Sequence, residues 1–170
     1  MIQSYGRRFE FFVVATIISL VALVALDRYT VMIKDAKVLR LEVISQHFMT
    51  AAANMRTKFL LSQVAKASVA IKKGLLVDGK LIYVSEDGWP ASTSTPASSH
   101  FLPTDEDCYQ LWQVLFQNPA PITLGRFTES SHKYRVFAEA NACRYALTDQ
   151  AAYFDYFPLT GRLSFSAISN

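Results

Sequence analysis

Few residues in this chain could do chemistry, and their spacing decides what that chemistry could be. Ser62 and Lys66 stand one helical turn apart and would make a formal Ser–Lys dyad. Such a nucleophile needs donors preorganised for an oxyanion. No neighbouring stretch offers them, so a solvated helix face is the expected setting. His47, His100 and His132 each lack a second ligand or a base at motif spacing, and are expected on the surface, not on a metal. Asp105, Glu106 and Asp107 form an acidic run without the alternating ligands and glycine of a calcium loop. Behind Thr104 they read as an N-cap and the negative first turn of a helix. No GxSxG, HExxH, P-loop or dinucleotide fingerprint occurs. The expectation is a protein that is not an enzyme, with no cofactor, no metal and no small-molecule substrate.

Cys108 and Cys143 are the only two cysteines, neither in a CxxC nor near a histidine at ligand spacing. A lone pair in a small domain outside the membrane reads as one disulfide, which places that domain in an oxidising compartment. By chain entropy the closed loop would contribute on the order of 4 kcal/mol. Net charge is +3, and the 17 Lys and Arg residues are spread along the chain. A nucleic-acid partner calls for a clustered basic stripe, so none is expected.

The elements that carry these residues begin with an apolar run. From Phe9 to Leu26 the only ionisable residue is Glu10, and the other polar ones are Thr16 and Ser19. At 1.5 Å per residue that run gives roughly 27 Å of helix, enough for a hydrocarbon core. A signal peptide would want a small-x-small cleavage site; Val24-Ala25-Leu26 does not supply one, so retention as an anchor is expected. Arg7 and Arg8 precede the run, while Arg28, Lys34, Lys37 and Arg40 follow it, which leaves the positive-inside count undecided. The expected disulfide tips the balance to a single-pass protein with its N-terminus in the cytoplasm.

Between Gly6 and Gly74 no glycine or proline interrupts a helix. Leu41, Ile44, Phe48, Ala51, Met55 and Phe59 recur at steps of three and four and mark one amphipathic face. Lys72-Lys73-Gly74 closes the helix with basic residues and a glycine. Beyond it, residues 80–84 read as a strand, Asp87-Gly88-Trp89-Pro90 as a turn with a packed Trp89, and 91–103 as a Ser/Thr/Pro-rich loop. A short helix follows, with Cys108, Leu111, Trp112 and Leu115 at helical spacing, stopped by Pro119 and Pro121. Segments 134–137, 143–147, 153–157 and 162–165, with the turn 158–161, suggest an antiparallel meander. Tyr153, Phe154, Tyr156 and Phe157 could form a carbohydrate or partner surface, though alternation sends about half of them into the core. The fold class is α+β, a long N-terminal helix packed on a small antiparallel sheet. The division expected is 1–8 as a short cytoplasmic segment, 9–26 as transmembrane helix, 27–73 as extracytoplasmic helical stalk and 74–170 as the α+β head.

That ground plan resembles type IV pilins and pseudopilins. "AKASVAIKKGLLVDGKLIYVSEDGWPAS", Ala65 to Ser92, is similar to the helix end, "DG" strand and aromatic-Pro turn of proteins of MSHA-type (mannose-sensitive haemagglutinin) pili. "CRYALTDQAAYFDYFPLTGRLSF", Cys143 to Phe165, resembles the pilin ending, in which a Cys-initiated strand precedes an aromatic strand and a P-x-T-G turn. "ANMRTKFLL" and "CYQLWQVLFQNP" are similar to the pilin-like biogenesis proteins of those pili. The resemblance implies a pilin-like head in the periplasm and an anchor in the inner membrane. It implies other pilins or pilus assembly proteins as partners, and a role in assembly through protein contacts.

Pilins carry a basic leader ending in Gly, then Phe, with Glu fifth in the mature chain. Here Met1-Ile-Gln-Ser-Tyr5 holds no basic residue, Arg7 follows Gly6, and Glu10 would be fourth. An uncleaved assembly factor is therefore expected, with a processed minor pilin built into the fibre as its alternative, and an unrelated tethered binding domain as a third. Glu10 then has two readings. It is a carboxylate at the membrane interface paired with Arg7 one turn back, at small cost compared with a charge at the bilayer centre; or it is half of an intersubunit ion pair. The interfacial reading is the expected one.

Overall fold

The computed structural model describes residues 3–64, 74–77, 79–126 and 132–168; the side chains of 3–9, 30, 31 and 64 lie outside that description. Two compact units divide the chain, Met1–Leu39 and Arg40–Asn170. One helix, α1, runs from Gln3 to Val64. The expected helix end at Lys72 and Lys73 falls outside the described residues, and Gly74 opens the first strand.

In the first unit α1 is exposed on every side that is described, with Phe11, Phe12, Ile17, Ile18, Val21 and Leu23 all open. Two of its hydroxyls turn back on the helix: Thr16 Oγ1 donates to the Phe12 carbonyl and Ser19 Oγ to that of Ala15, each at 2.8 Å. Such back-bonding gives a helical hydroxyl a partner within its own helix. By length and composition α1 is able to cross a membrane.

The second unit sets the rest of α1 against two sheets and a short helix. A three-stranded antiparallel sheet holds β1 (Gly74–Val77), β2 (Lys80–Val84) and β3 (Pro90–Ser92) in that order. Helix α2 is Asp105–Leu115. A five-stranded sheet then runs β4 (Ile122–Leu124), β5 (Tyr134–Glu139), β6 (Ala142–Leu147), β7 (Ala152–Phe157) and β8 (Arg162–Ala167). Strands β5 to β8 form the antiparallel meander, whereas β4 pairs parallel to β5. Thus the α+β layout holds, with two sheets instead of one. The stretch read as loop from residue 91 begins inside β3, whose Pro90 and Ala91 carry no apolar alternation to mark a strand.

The seam of α1 in this unit is Leu41, Ser45, Phe48, Ala52, Met55 and Phe59, all buried. Its steps of four and three keep a 3.5-residue period, so the contact line stays narrow. Ile44 and Ala51, expected on this face, are only half-buried, and Ser45 and Ala52 take the centre. Ser45 tolerates burial because its Oγ donates to the Glu42 carbonyl at 2.7 Å.

Phe48 is fully buried and seated among rings. Its centroid lies 5.1 Å from Tyr145 and from Tyr156, 5.7 Å from Phe154 and 5.9 Å from Phe116. Trp112 continues the cluster, stacked on Tyr145 at 5.4 Å. The buried polar tips all find acceptors. Tyr145 Oη donates to the Cys108 carbonyl at 2.8 Å, Tyr156 Oη to that of Pro90 at 2.9 Å, and Trp112 Nε1 to that of Ala120 at 3.0 Å. Burial pushes both tyrosine hydroxyls above the ordinary phenol pKa.

The turn before β3 is fastened to α1. Arg56 Nε donates to the Asp87 carbonyl at 2.8 Å, and its guanidinium lies 4.7 Å over the Trp89 ring. Trp89 also meets the β7–β8 turn, where Gly161 has φ +68° and an added Cβ would clash with the indole. Only glycine fits both that backbone and that gap.

Truncating the central ring leaves a cavity in a core built around it. Phe48→Ala is expected to cost about 3–5 kcal/mol and lower the melting temperature of the full-length protein by roughly 10–20 °C. Phe12→Ala, at an exposed position, is expected to leave it unchanged. Equal melting temperatures for wild type and Phe48→Ala in differential scanning calorimetry would contradict this packing.

Candidate functional site

Alternation along the meander gives the five-stranded sheet two faces of different chemistry. Tyr134, Val136, Cys143, Tyr145, Phe154 and Tyr156 are buried on the core side. The opposite face carries Glu139, Arg144, Tyr153 and Phe157, all half-buried, the exposed Arg162, and Phe137 and Asp155 buried beneath the side chains around them. The register sets Phe137 beside Arg144 and Arg144 beside Asp155, so the charges meet across strands.

Arg144 is the hub of that face. Its Nε donates to Asp155 Oδ1 at 2.7 Å and its Nη2 to Oδ2 at 2.8 Å, a two-point fork. Its Nη1 stands 3.8 Å from Glu139, and its guanidinium lies 4.1 Å over the Tyr153 ring. The hydrogen bond to Asp155 holds Arg144 even more firmly protonated than usual. Two further arginines repeat the motif. Arg126 pairs with Glu139 and covers Phe137 at 4.8 Å, and Arg162 lies 4.2 Å over Phe157. Each such partly exposed pair is worth about 0.5–1 kcal/mol. Together they keep three guanidinium groups over aromatic rings on this face, two of them, Arg126 and Arg144, also held by carboxylates. The face is a guanidinium–aromatic array and carries no nucleophile–base pair.

Of the four aromatics in β7, Phe154 and Tyr156 go inward, and Tyr153 and Phe157 belong to this face. The arginine partners were not foreseen from the sequence. The one signal was Asp155 inside an aromatic strand, since a buried carboxylate needs a cation nearby.

The acidic run is fully engaged in structure. Asp105 Oδ1 accepts from the Ala138 backbone N–H at 2.6 Å, and Glu106 accepts from Gln110 at 2.7 Å. Asp107, only 2% exposed, completes a capping box with Thr104. Its Oδ1 accepts from the hydroxyls of Ser92 at 2.6 Å and Ser94 at 2.8 Å. Its Oδ2 accepts from the Thr104 hydroxyl at 2.7 Å and backbone N–H at 3.1 Å. Burial alone would raise the Asp107 pKa, but the bonds from Ser92, Thr104 and Ser94 together bring it below the ordinary value. One carboxylate therefore ties the start of α2 to the segment after β3.

Cys108 and Cys143 are bonded to each other, S–S 1.98 Å, joining α2 to β6 beneath the aromatic cluster. His47, His100 and His132 are exposed. Ser62 Oγ donates to the Phe59 carbonyl at 2.6 Å, while Lys66 lies outside the described residues. Glu10 is exposed on α1; the side chain of Arg7, its expected neighbour, is also outside the description. Among the described residues no three His, Cys, Asp or Glu side chains gather to hold a metal ion. No protein-family model matches the chain, and no curated protein or solved structure does either.

Asp107→Asn keeps the shape but puts an amide donor where Thr104 needs an acceptor. It is expected to cost about 1–3 kcal/mol in urea unfolding at neutral pH. The lowered pKa makes the Asp107 contribution complete above the unfolded-chain value of about 3.9 and progressively lost as pH falls below it through the folded-state value. The gap between wild type and Asp107→Asn should therefore close in acid; a gap independent of pH would contradict the role given to the carboxylate.

Proposed function

We propose that this protein is a membrane-anchored, pilin-like component of MSHA-type type IV pilus biogenesis, acting in assembly by protein contacts and not by catalysis. What supports the reading most is one combination within the chain. A helix long and apolar enough to cross a membrane continues as a helix whose seam packs on antiparallel sheets closed by one disulfide. The stretches that resemble pilin proteins also serve as fastenings of that fold. Trp89 and Gly161, from the "GWP" and P-x-T-G turns, touch each other, and the Cys-initiated strand carries the disulfide.

In this reading α1 holds the protein in the inner membrane with the N-terminus in the cytoplasm and the head in the periplasm, the oxidising side that the disulfide suits. The arginine–aromatic face of the five-stranded sheet is the contact surface offered to other pilins or assembly proteins. Like known interfaces, it is rich in arginine and aromatic residues. Arg7 in place of an apolar residue after Gly6 favours an assembly factor that keeps its N-terminal residues over a processed fibre subunit.

Two measurements test this. The intact mass of the protein extracted from membranes of its native host is expected to include Met1–Gly6, or to lack at most the initiator methionine; a mature N-terminus at Arg7 would overturn the unprocessed reading and favour the minor pilin. Loss of the protein is expected to abolish or sharply reduce surface pili by electron microscopy, with restoration by the wild-type chain. Normal piliation in its absence would remove the assembly role.

A further inference from the structure

From Ala22 to Val43 the sequence of α1 keeps a heptad in which Tyr29, Ala36 and Val43 take the a positions and Met32 and Leu39 the d positions. The same register runs back through Ala22 and Ala25, so three heptads are unbroken. In the first unit Tyr29, Met32 and Leu39 are exposed, Met32 at 71% and Leu39 at 61%. In the second unit Val43 is exposed, while the buried seam residues Leu41, Phe48 and Met55 fall at f, away from the a and d line. Within the second unit the packed side of α1 is therefore the f side, and Val43 at a stays open.

The residues flanking that line identify its occupant. In a parallel pair of heptad helices, each g position faces the e position five residues later on the partner. Asp35 at g faces Arg40 at e, and Glu42 at g faces His47 at e, whose imidazole offers an N–H. No like charges meet in this register, since Arg28 at g faces Ile33. Two copies held in one membrane with the same orientation can pair only in parallel. Inside the span, Ala22 and Ala25 on the same line let two backbones come close, as small residues do between membrane helices.

We infer that α1 pairs in parallel with α1 of a second copy of this chain along Tyr29, Met32, Ala36, Leu39 and Val43, with Asp35 of each copy against Arg40 of the other. The parallel orientation, and with it the Asp35–Arg40 pairing, rests on the membrane-anchor reading above; the heptad of apolar residues does not.

The test uses the full-length chain in membranes of expressing cells. Single cysteines are placed at Met32 or Leu39 on the line, and at Lys34 or Val38 off it, and oxidised with copper phenanthroline. Met32→Cys and Leu39→Cys are expected to give a covalent species of twice the chain mass, and Lys34→Cys and Val38→Cys to give little. In the Leu39→Cys background, Asp35→Arg is expected to weaken pairing about tenfold by turning two attractive contacts repulsive. Asp35→Arg with Arg40→Asp is expected to restore it. Absence of crosslinks, equal crosslinks at all four positions, a product of another mass, or failure of the charge swap to restore pairing would each overturn the inference. Carbonate extraction of the same membranes scores anchoring separately. An anchored chain without phased crosslinks sinks the pairing alone, and a chain released by carbonate sinks the anchor reading, with the crosslink pattern of the released protein still deciding the pairing.

Discussion

The head depends on seating one phenylalanine of α1 among the rings of two adjacent strands. Phe48 fills that seat, but two of the rings around it, Tyr145 and Tyr156, carry hydroxyls that cannot be buried without acceptors. Each reaches out of the cluster in a different direction. Tyr145 ends on the Cys108 carbonyl in α2, and Tyr156 on the Pro90 carbonyl in β3. A single apolar contact thus obliges the five-stranded sheet to hold the short helix on one hand and the three-stranded sheet on the other. The disulfide repeats the first of these ties covalently, since Cys108 belongs to the same helix and Cys143 to the same strand as Tyr145.

Legibility in the sequence followed the strength of periodicity. Leu41, Phe48, Met55 and Phe59 were visible as core because their spacing is helical and nothing between Gly6 and Gly74 breaks a helix. The assignment of Ile44 and Ala51 to the same face missed because a 3.5-residue seam is narrower than an amphipathic stripe, and the central places went to Ser45 and Ala52. Strands β5 to β8 were visible from alternation and turns. The short strands β3 and β4 were not, since Pro90-Ala-Ser92 and Ile122-Thr-Leu124 carry too few residues to show a period. They exist because neighbours pair with them, which is tertiary information.

The polar features divide along the same line. Local ones were legible: Thr104 followed by three acids announced a helix start, and the capping box is there. The remote partners of those acids were hidden, because Ser92 and Ser94 lie in a low-complexity stretch whose path no local rule supplies. The Arg144–Asp155 fork, eleven residues apart in sequence, needs the β6–β7 register before it can be read. Glu10 stands between these cases. Its place at the mouth of the apolar run is plain, but what it pairs with depends on groups beyond its own turn.

The narrow seam has a further consequence for how the second unit can use its helix. A broad amphipathic face would have drawn most of the circumference of α1 into the head and left little for others. A contact line that advances by alternating threes and fours spares the opposite side, where Val43, Gln46 and Thr50 stay exposed. Stability is concentrated in a few large rings, Phe48 above all, so that side is free of any obligation to the fold. The outer face of the five-stranded sheet is spared in the same manner, because Tyr145, Phe154 and Tyr156 on the inner face supply the burial. Its arginines are then free to lie over Tyr153, Phe157 and Phe137. A core this localised leaves two parts of the head outside the main burial, the side of α1 that carries Val43, Gln46 and Thr50 and the arginine–aromatic face of the five-stranded sheet.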